Sequence, residues 1–242
     1  MLKKFLLTEL NKRGYEITKQ GYSDKIAVVY RKIINQFQID HIIDIGANEG
    51  QYAVGMRKLG FSGNISSFEP LSDVFVKLTE NSKNDIKWSV FNLALGNNDG
   101  ELEINVSKNK VSSSLLEILP EHIKQEPDSQ YISKEKINVK RIDTIWKELS
   151  FNSSNVFLKL DVQGYEKFVL EGASGSFKNI KLIQLEMALI PLYNGELLLG
   201  EMIQYMDGLG FKLYNLMNGF NNFETGQLFQ VDGIFVRADL IQ

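Results

Sequence analysis

The sequence predicts an α/β fold with a mostly parallel sheet and helices on both of its faces. Two observations lead to this prediction. Apolar runs of strand length alternate along the chain with stretches in which apolar residues recur at helical spacing. Three of these runs end in an acidic residue, Asp44, Glu69 or Asp161, and the carboxyl ends of parallel strands are where open α/β sheets bind ligands. The 242 residues suffice for one such domain with a large core.

Each element follows from its local pattern. Ser23-Asp24 is typical of a helix start, and the apolar residues from Ile26 to Phe37 then recur on one helix face. The remaining predicted elements are strands 41–45, 64–68, 86–91, 156–160 and 180–185, helices 71–81, 143–149, 164–170 and 196–209, and a closing antiparallel pair, 211–216 with 228–236. We therefore divide the chain into an N-terminal helical segment, 1–39, and one main domain, 40–242.

Residues 97–136 lack a clear period. Glu101 to Val106 alternates like an exposed strand, and a polar stretch with Pro120, His122 and Pro127 follows the three serines 112–114. We expect a variable insertion or lid here, because irregular segments often carry function. His122 could act as a base at the mouth of a site, but the interpretation that we prefer is a surface residue.

Composition removes several functional classes. The chain has no cysteine, which excludes disulfides, thiol catalysis and Cys-ligated zinc. A net charge of −3 without a basic run argues against nucleic acid as the main partner. The apolar piece Phe5 to Leu7 is too short for a signal peptide or a transmembrane segment, so we expect a cytoplasmic protein. Packing of the N-terminal helix on a second subunit, giving a homodimer, stays open.

The loop after the first strand predicts a cofactor site of a particular kind. Asp44 ends the strand, and Gly46 and Gly50 follow with Gly-x-x-x-Gly spacing, not the Gly-x-Gly-x-x-Gly of dinucleotide sites. No Gly-Lys-Ser/Thr is present to hold a triphosphate. A cofactor without phosphate, S-adenosylmethionine, fits better: Asp44 would take up its positive amino-acid end. Glu69, at the end of the second strand, would accept both ribose hydroxyls.

A linked set of motifs then resembles the FkbM family of S-adenosylmethionine-dependent methyltransferases across roughly residues 40–237. The motifs are Asp44-Ile-Gly-Ala-Asn-Glu-Gly50, Phe68-Glu69-Pro70, Asn92-Leu-Ala-Leu-Gly96, Arg141-Ile-Asp143, Leu158-Lys-Leu-Asp-Val-Gln-Gly-Tyr-Glu166, Val169-Leu-Glu-Gly-Ala173, Leu185-Glu-Met187, Pro191-Leu-Tyr193 and Gln230-Val-Asp-Gly-Ile-Phe235. The resemblance implies a class I methyltransferase (Rossmann-like) fold: a seven-stranded, mostly parallel sheet with one antiparallel strand. It also implies O-methylation of a sugar, a glycan or another small hydroxylated molecule.

The resemblance places the first loop, Glu69 and the segment Asn92-Leu93-Ala94 on the cofactor, with that segment beside the adenine. The expected cofactor-binding residues are Asp44, Gly46, Ala47, Asn48, Gly50, Tyr52, Glu69, Pro70, Asn92, Ala94 and Asp161.

Three acids are expected on the reactive side: Asp161 after the fourth strand, Glu186 after the fifth, and Asp232 in the closing strand. Asp161 is the first choice for a residue beside the methyl group, as base, hydroxyl ligand or holder of the cofactor amine; its alternative is a helix cap. Glu186 is a second base or a partner of Lys159. Asp161 and Glu186 could also bind Mg²⁺, but two carboxylates are too few, so we expect no metal.

Two other functions compete with methyl transfer. An NAD-type oxidoreductase would share the strand–turn–helix opening, although the second glycine of its fingerprint is missing. A non-catalytic partner that retains the fold is the other alternative, and the presence of all the motif acids argues against it.

Overall fold

The computed structural model describes residues 25–149, 151, 155–222 and 224–241. Most of the predicted N-terminal segment, 1–24, lies outside these residues. The helices are α1 (Lys25–Gln36), α2 (Gln51–Lys58), α3 (Ser72–Ser82), α4 (Pro120–Gln125), α5 (Ile142–Glu148), α6 (Glu166–Glu171) and α7 (Leu199–Gly208). The strands are β1 (His41–Ile45), β2 (Asn64–Phe68), β3 (Trp88–Phe91), β4 (Ala94–Leu95), β5 (Gly100–Ser107), β6 (Tyr131–Lys140), β7 (Val156–Leu160), β8 (Ile180–Ala188), β9 (Phe211–Asn218) and β10 (Gln230–Arg237).

A seven-stranded sheet forms the centre of the molecule, in the order β3-β2-β1-β7-β8-β10-β9. Strands β3, β2, β1, β7 and β8 pair in parallel. Strand β10 runs antiparallel to both of its neighbours, β8 and β9, so it alone is reversed in this sheet. The predicted fold, with one antiparallel strand in a mostly parallel sheet, is confirmed. From the central pair β1 and β7, the strand order continues through β2 and β3 on one side and through β8, β10 and β9 on the other. This reversal of the strand order creates a crevice at the carboxyl ends of β1 and β7.

Helices cover both faces of this sheet, as predicted. Alternate residues of each strand point to opposite faces, so Ile42 and Ile43 enter different cores. One core packs the sheet against α1 and α2, with Tyr30 and Ile33 of α1, and Phe37 just after it, buried there. The other packs it against α5, α6 and α7. Helix α1 therefore packs on its own sheet.

The region 97–136 is more regular than the sequence predicts. Strand β5 pairs antiparallel with β6 along its whole length, and β4 adds a parallel partner, giving a second, three-stranded sheet. Its buried face, with Ile104 and Val139, packs on Leu71 and Val74 beside the main sheet. Residues 131–136, expected to be irregular, belong to β6, because pairing with β5 supplies the order that their polar pattern lacks.

Several predicted boundaries were wrong. Strand pairing explains the one that matters for the site, which is the end of the fifth predicted strand. Glu186 was expected after the fifth strand but lies inside β8. That strand continues to Ala188 because β10 pairs with it there, and this register sets Glu186 directly opposite Asp232. Helix α7 begins at Leu199, not at residue 196, since the Glu196 carboxylate instead accepts hydrogen bonds from the backbone N–H groups of Leu192 and Tyr193.

The preferred surface position of His122 was also wrong. Its side chain is buried in α4, edge-on to Tyr193 and beside Phe220. Nδ1 has no hydrogen-bond partner among the described residues, and burial lowers the pKa of the imidazole to about 4. His122 is thus a neutral core residue of an aromatic cluster behind the crevice.

Candidate active site

A pocket lies at the carboxyl ends of β1, β2 and β7 and contains about 660 Å³ of empty space, part of it open to solvent. Its lining is mostly apolar with a few polar and acidic side chains, which suits a small-molecule site. The loop after β5 forms its far wall, so the second sheet contributes directly to the pocket. The residues that line it are Ile45, Gly46, Asn48, Phe68, Glu69, Pro70, Leu71, Leu93, Ala94, Leu95, Ile104, Lys110, Val111, Ser113, Ser114, Leu115, Asp161, Val162, Gln163 and Tyr165.

The loop after β1 needs its two glycines for different reasons. Gly46 has a φ of +71°, and a Cβ there would lie 1.8 Å from the carbonyl oxygen of Asp161. Only glycine lets the loop pass this close to the end of β7. Gly50 has a φ of +92°, and a Cβ there would meet the ring of Trp88 at 2.7 Å. Gly46 therefore shapes the pocket, whereas Gly50 serves packing at the start of α2.

Glu69 presents a buried carboxylate to the pocket. Its Oε2 accepts the backbone N–H of Asn48 at 2.9 Å, and its Oε1 accepts that of Leu71 at 2.9 Å. Burial raises the pKa of Glu69 to about 7, although these two hydrogen bonds act in the opposite direction. A carboxylate offers about four acceptor positions, so each oxygen retains capacity for a ligand hydroxyl.

Asp44 is fully buried beneath this loop and is paired inside the protein. Lys159 Nζ lies 3.1 Å from Asp44 Oδ1 and 3.4 Å from Asp161 Oδ2, and it donates to the carbonyl oxygen of Gly46 at 3.1 Å. Burial lowers the pKa of Lys159, but the attraction of Asp44 and Asp161 outweighs it and the net shift is upward. The ammonium thus ties the β1 loop to β7. It is Asp44 and Asp161, not Glu186, that it pairs with.

The three acids expected on the reactive side lie around this ion pair. Asp161 lines the pocket, and its side chain is 35% exposed. Glu186 and Asp232 sit opposite each other on β8 and β10, both partly buried. Burial, then the charges of Asp161 and Asp232, raise the pKa of Glu186 well above its ordinary value. Burial and the charge of Asp161 raise the pKa of Asp232.

A row of polar side chains connects these acids to the first helix. The hydroxyls of Tyr30 on α1 and Tyr52 on α2 lie 2.7 Å and 3.3 Å from Oε1 of Gln184. Gln184 Nε2 in turn donates to Asp232 Oδ1 at 3.2 Å. Helix α1 therefore contributes to the environment of the acids, and its packing affects their orientation.

Six of the predicted site residues line the pocket and seven do not. The six are Gly46, Asn48, Glu69, Pro70, Ala94 and Asp161. The seven are Asp44, Ala47, Gly50, Tyr52, Asn92, Glu186 and Asp232. Among the seven, Asn92 holds the turn after β2, since its Nδ2 donates to the carbonyl oxygens of Glu69 and Pro70. Glu186 is joined to the pocket wall through Gln163.

Two important side chains were missed from the sequence. Gln163 lies in the turn after β7 and contacts both Asp161 and Glu186. Tyr30 lies on the apolar face of α1, where a tyrosine is indistinguishable from core packing. The motif Leu158 to Glu166 contains Gln163, so its place between two predicted strand-end acids was the available signal.

Within the described ranges, no group of three or more His, Asp or Glu side chains has the geometry to hold a metal ion. None of the helices in that part of the chain is both long and apolar enough to cross a bilayer.

Residues 44–213 match the sequence model of the family described as "Methyltransferase FkbM domain", which is well over half of the chain. The comparison with curated proteins found no match. Among solved structures, a candidate RNA methyltransferase, PH1948 from Pyrococcus horikoshii, is 15% identical with a TM-score of 0.44, and the alignment covers 98% of this chain and 99% of that one.

Two further structures are similar at the same level. The precorrin-6y C5,15-methyltransferase from Geobacter metallireducens GS-15 is 11% identical with a TM-score of 0.42, covering 93% of this chain and 94% of that one. The TehB-like SAM-dependent methyltransferase from Corynebacterium glutamicum ATCC 13032 Kitasato is 9% identical with a TM-score of 0.41, covering 97% and 96%.

Proposed function

The chain belongs to the FkbM methyltransferase family, and from this premise we propose that it uses S-adenosylmethionine to methylate a hydroxyl group of a sugar, a glycan or another small polyhydroxylated molecule. The observation that carries the proposal is the buried Glu69 carboxylate, which faces a pocket whose opposite side ends in Asp161 and Gln163. The pocket thus has an acceptor for a diol at one side and acids at the other.

The chemistry of the lining fits this cofactor. Glu69 would accept the ribose hydroxyls, and the close approach of the loop at Gly46 would let backbone groups reach the amino-acid end. Lys110 is the single Lys or Arg in the lining, and its ammonium is already paired with Asp73 at 2.9 Å. A pocket with this charge pattern favours a cofactor without phosphate. When bound, the cofactor supplies an activated methyl group.

We infer a different role for Asp44 from the one expected. Because Lys159 already neutralises Asp44, we infer that this pair organises the loop and that Asp161, which is partly exposed at the pocket, is the acid available to the positive amino-acid end. This assignment follows from accessibility, since Asp44 is fully buried.

The acids support transfer to oxygen. A hydroxyl must lose its proton as it attacks the methyl group, and a general base works best when its pKa lies near the working pH. Glu186 has a raised pKa and is partly buried, whereas Asp161 is paired with Lys159. We therefore assign Glu186 as the base and Asp232 as an acceptor that positions the hydroxylated substrate, while Asp161 stays assigned to the cofactor.

The cofactor part of the proposal is tested by calorimetry with S-adenosylhomocysteine. We expect one site per chain and a loss of about 10- to 100-fold in affinity for Glu69→Gln, because a buried acceptor of two hydroxyls loses its charge. Glu49→Gln is the matched control: this neighbouring glutamate pairs with Lys77 outside the pocket lining. No binding to the wild-type protein would refute the proposal.

The acceptor is tested with isotopically labelled methyl donor and a panel of free sugars, glycans, glycolipids and RNA, read by mass spectrometry. A labelled methyl ether on a sugar or glycan is the expected product. Labelling confined to RNA, or to nitrogen or carbon of another compound, would refute the substrate assignment while leaving the cofactor assignment intact. Stronger thermal stabilisation by NADH than by S-adenosylmethionine would favour an oxidoreductase instead.

A further inference from the structure

Gln163 stands at the point where the pocket wall meets the acids. It lies in the turn between β7 and α6, with a φ of +54° and only 7% of its surface exposed. A left-handed conformation is unfavourable for a residue with a side chain and persists where surrounding contacts hold it. The contacts of Gln163 are therefore informative about why this turn is built as it is.

The side-chain amide of Gln163 binds both reactive-side acids. Nε2 lies 2.9 Å from Asp161 Oδ1 and 3.0 Å from Glu186 Oε2. An amide nitrogen carries two hydrogens, so each carboxylate can accept one. The hydroxyl of Tyr193, a fully buried side chain, is 2.7 Å from Gln163 Oε1, and Ser114 Oγ donates to the backbone carbonyl at 2.7 Å.

These contacts leave one orientation of the amide. Ionised carboxylates only accept hydrogen bonds, so the nitrogen must face Asp161 and Glu186, and the oxygen must face the Tyr193 hydroxyl. The amide is thus anchored on one side by a buried phenol and directs both N–H groups toward the acids. Lys159 reaches Asp161 but forms no ion pair with Glu186, so the amide is the shared donor of these two acids.

We propose that Gln163 is a positioning residue for methyl transfer: its amide holds Glu186 and Asp161 in fixed, separate orientations, with Tyr193 holding the amide. This role rests on the proposed function and adds to it a residue that would not be the base itself. Because the donated hydrogen bonds favour the ionised form of each acid, they offset part of the repulsion between two neighbouring carboxylates. Glu186, which is joined to the pocket wall through Gln163, is then held in one orientation while it accepts the substrate proton.

Other charged groups also act on Glu186 and must stay constant in a test. Asp161 faces it from the turn after β7, Asp232 from β10, Glu166 from α6, and Lys159 from β7. Gln230 Nε2 lies 3.5 Å from its Oε2. Among these groups, Asp161 is the one that hydrogen-bonds the Gln163 side chain, so a change in the titration of Glu186 reports on the amide together with the Asp161 carboxylate that it holds.

The test is a side-chain carboxyl titration by NMR, with ¹³Cδ-labelled glutamate and the Glu186 signal assigned by its loss in Glu186→Gln. Gln163→Met keeps the length of the side chain but removes both donors. We expect the pKa of Glu186 to rise by about one to two pH units, because a hydrogen bond to a charged group is lost. Gln163→Glu adds a charge as well and should give a larger rise. Tyr193→Phe should give a smaller one.

The second measurement is the affinity for S-adenosylhomocysteine, which should change less than about threefold in Gln163→Met, since Glu69 and the β1 loop are untouched. With an acceptor from the panel, the acidic limb of kcat/KM should move to higher pH in the order wild type, Gln163→Met, Gln163→Glu.

An unchanged pKa of Glu186 in Gln163→Met would overturn the proposal, and so would a tenfold loss of cofactor affinity without that pKa change, which would make Gln163 a cofactor ligand. If Gln163→Met does not fold, Tyr193→Phe decides in its place. The titration needs no acceptor, so its result stands even if the search for methyl transfer fails.

Discussion

The pocket wall around Glu69 is held by backbone groups, whereas the acids on the other side are held by side chains. The carboxylate of Glu69 is fixed by the N–H groups of Asn48 and Leu71, close to it in two adjoining loops. Glu186 and Asp232 depend instead on Gln163 and Gln184. Backbone donors exist whatever the side chains are, so the first wall tolerates variation around it. The second depends on particular residues from distant parts of the chain, which suits a part of the site that adapts to its acceptor.

The largest expected effect is on the acid side. Glu186→Gln should lower kcat by about 100- to 10,000-fold, the usual contribution of general acid–base catalysis. Binding of S-adenosylhomocysteine should stay unchanged, because Glu186 lies outside the pocket lining. The melting temperature should hold or rise, since a buried carboxyl with a raised pKa destabilises the fold at neutral pH. If Asp161→Asn lost more activity than Glu186→Gln while the cofactor affinity of the two variants stayed equal, Asp161 would be the base instead of Glu186.

The next largest effect is on the free energy of unfolding and concerns the loop after β1, on the Glu69 side of the pocket. Gly46→Ala should lower the free energy of unfolding by at least about 3 kcal/mol, because the new Cβ meets the carbonyl of Asp161 in a left-handed backbone conformation. Gly55→Ala is the control: a Cβ there meets nothing within 4 Å, so this helical site should gain about 0.5 to 1 kcal/mol. Denaturant unfolding measures both. Equal behaviour of the two variants would contradict the tight crossing of loop and strand.

A third effect concerns His122, which packs behind the acids against Tyr193. The pKa of His122 in the folded protein, about 4, lies below the ordinary value of 6.5. Below pH 6.5 the unfolded chain therefore takes up a proton at this histidine while the folded protein does not. The free energy of unfolding falls for this reason as the pH drops from 6.5 toward 4. The loss amounts to at most about 3 kcal/mol. Because buried acids titrate in the same range with the opposite sign, the quantity to measure is the difference in unfolding free energy between wild type and His122→Phe. We expect that difference to move in favour of the variant at low pH; a constant difference would refute the prediction.

The smallest effect is the pH dependence of cofactor binding. Ribose hydroxyls bind the ionised form of Glu69, whose pKa without ligand is about 7, so binding lowers that pKa. Affinity for S-adenosylhomocysteine should therefore rise with pH, by at most about tenfold per unit, and level off above pH 7. Calorimetry between pH 5.5 and 8.5 measures this slope. Glu69→Gln should remove it, and persistence of the slope in that variant would assign it to another group.

Most of the central sheet was predictable because its strands carry local signals. Strands β1 and β7 are buried along their whole length and β2 is buried from Ile65 onward, and the predicted bounds of all three agree with the structure. The acids Asp44, Glu69 and Asp161 follow from those bounds. In region 97–136 the predicted strand 101–106 lies within β5, but residues 131–136 were not predicted as a strand because most of them are polar or charged, and their order comes from pairing with β5. The burial of His122 likewise depends on contacts with Tyr193 and Phe220, far away in the sequence.

By itself, the sequence determined the fold class, the family resemblance and the position of the glycine-containing loop after β1, because these depend on short-range periodicity and on glycines and acids at fixed spacing. Only the tertiary structure decided which acids meet. The register of β8 and β10 set Glu186 opposite Asp232, and the parallel pairing of β1 with β7 gave Asp44 and Asp161 a shared partner in Lys159. Charge and hydrogen bonding act through space. Packing, and not the order of the acids along the chain, therefore decides which acid is paired inside the protein and which is left available for chemistry.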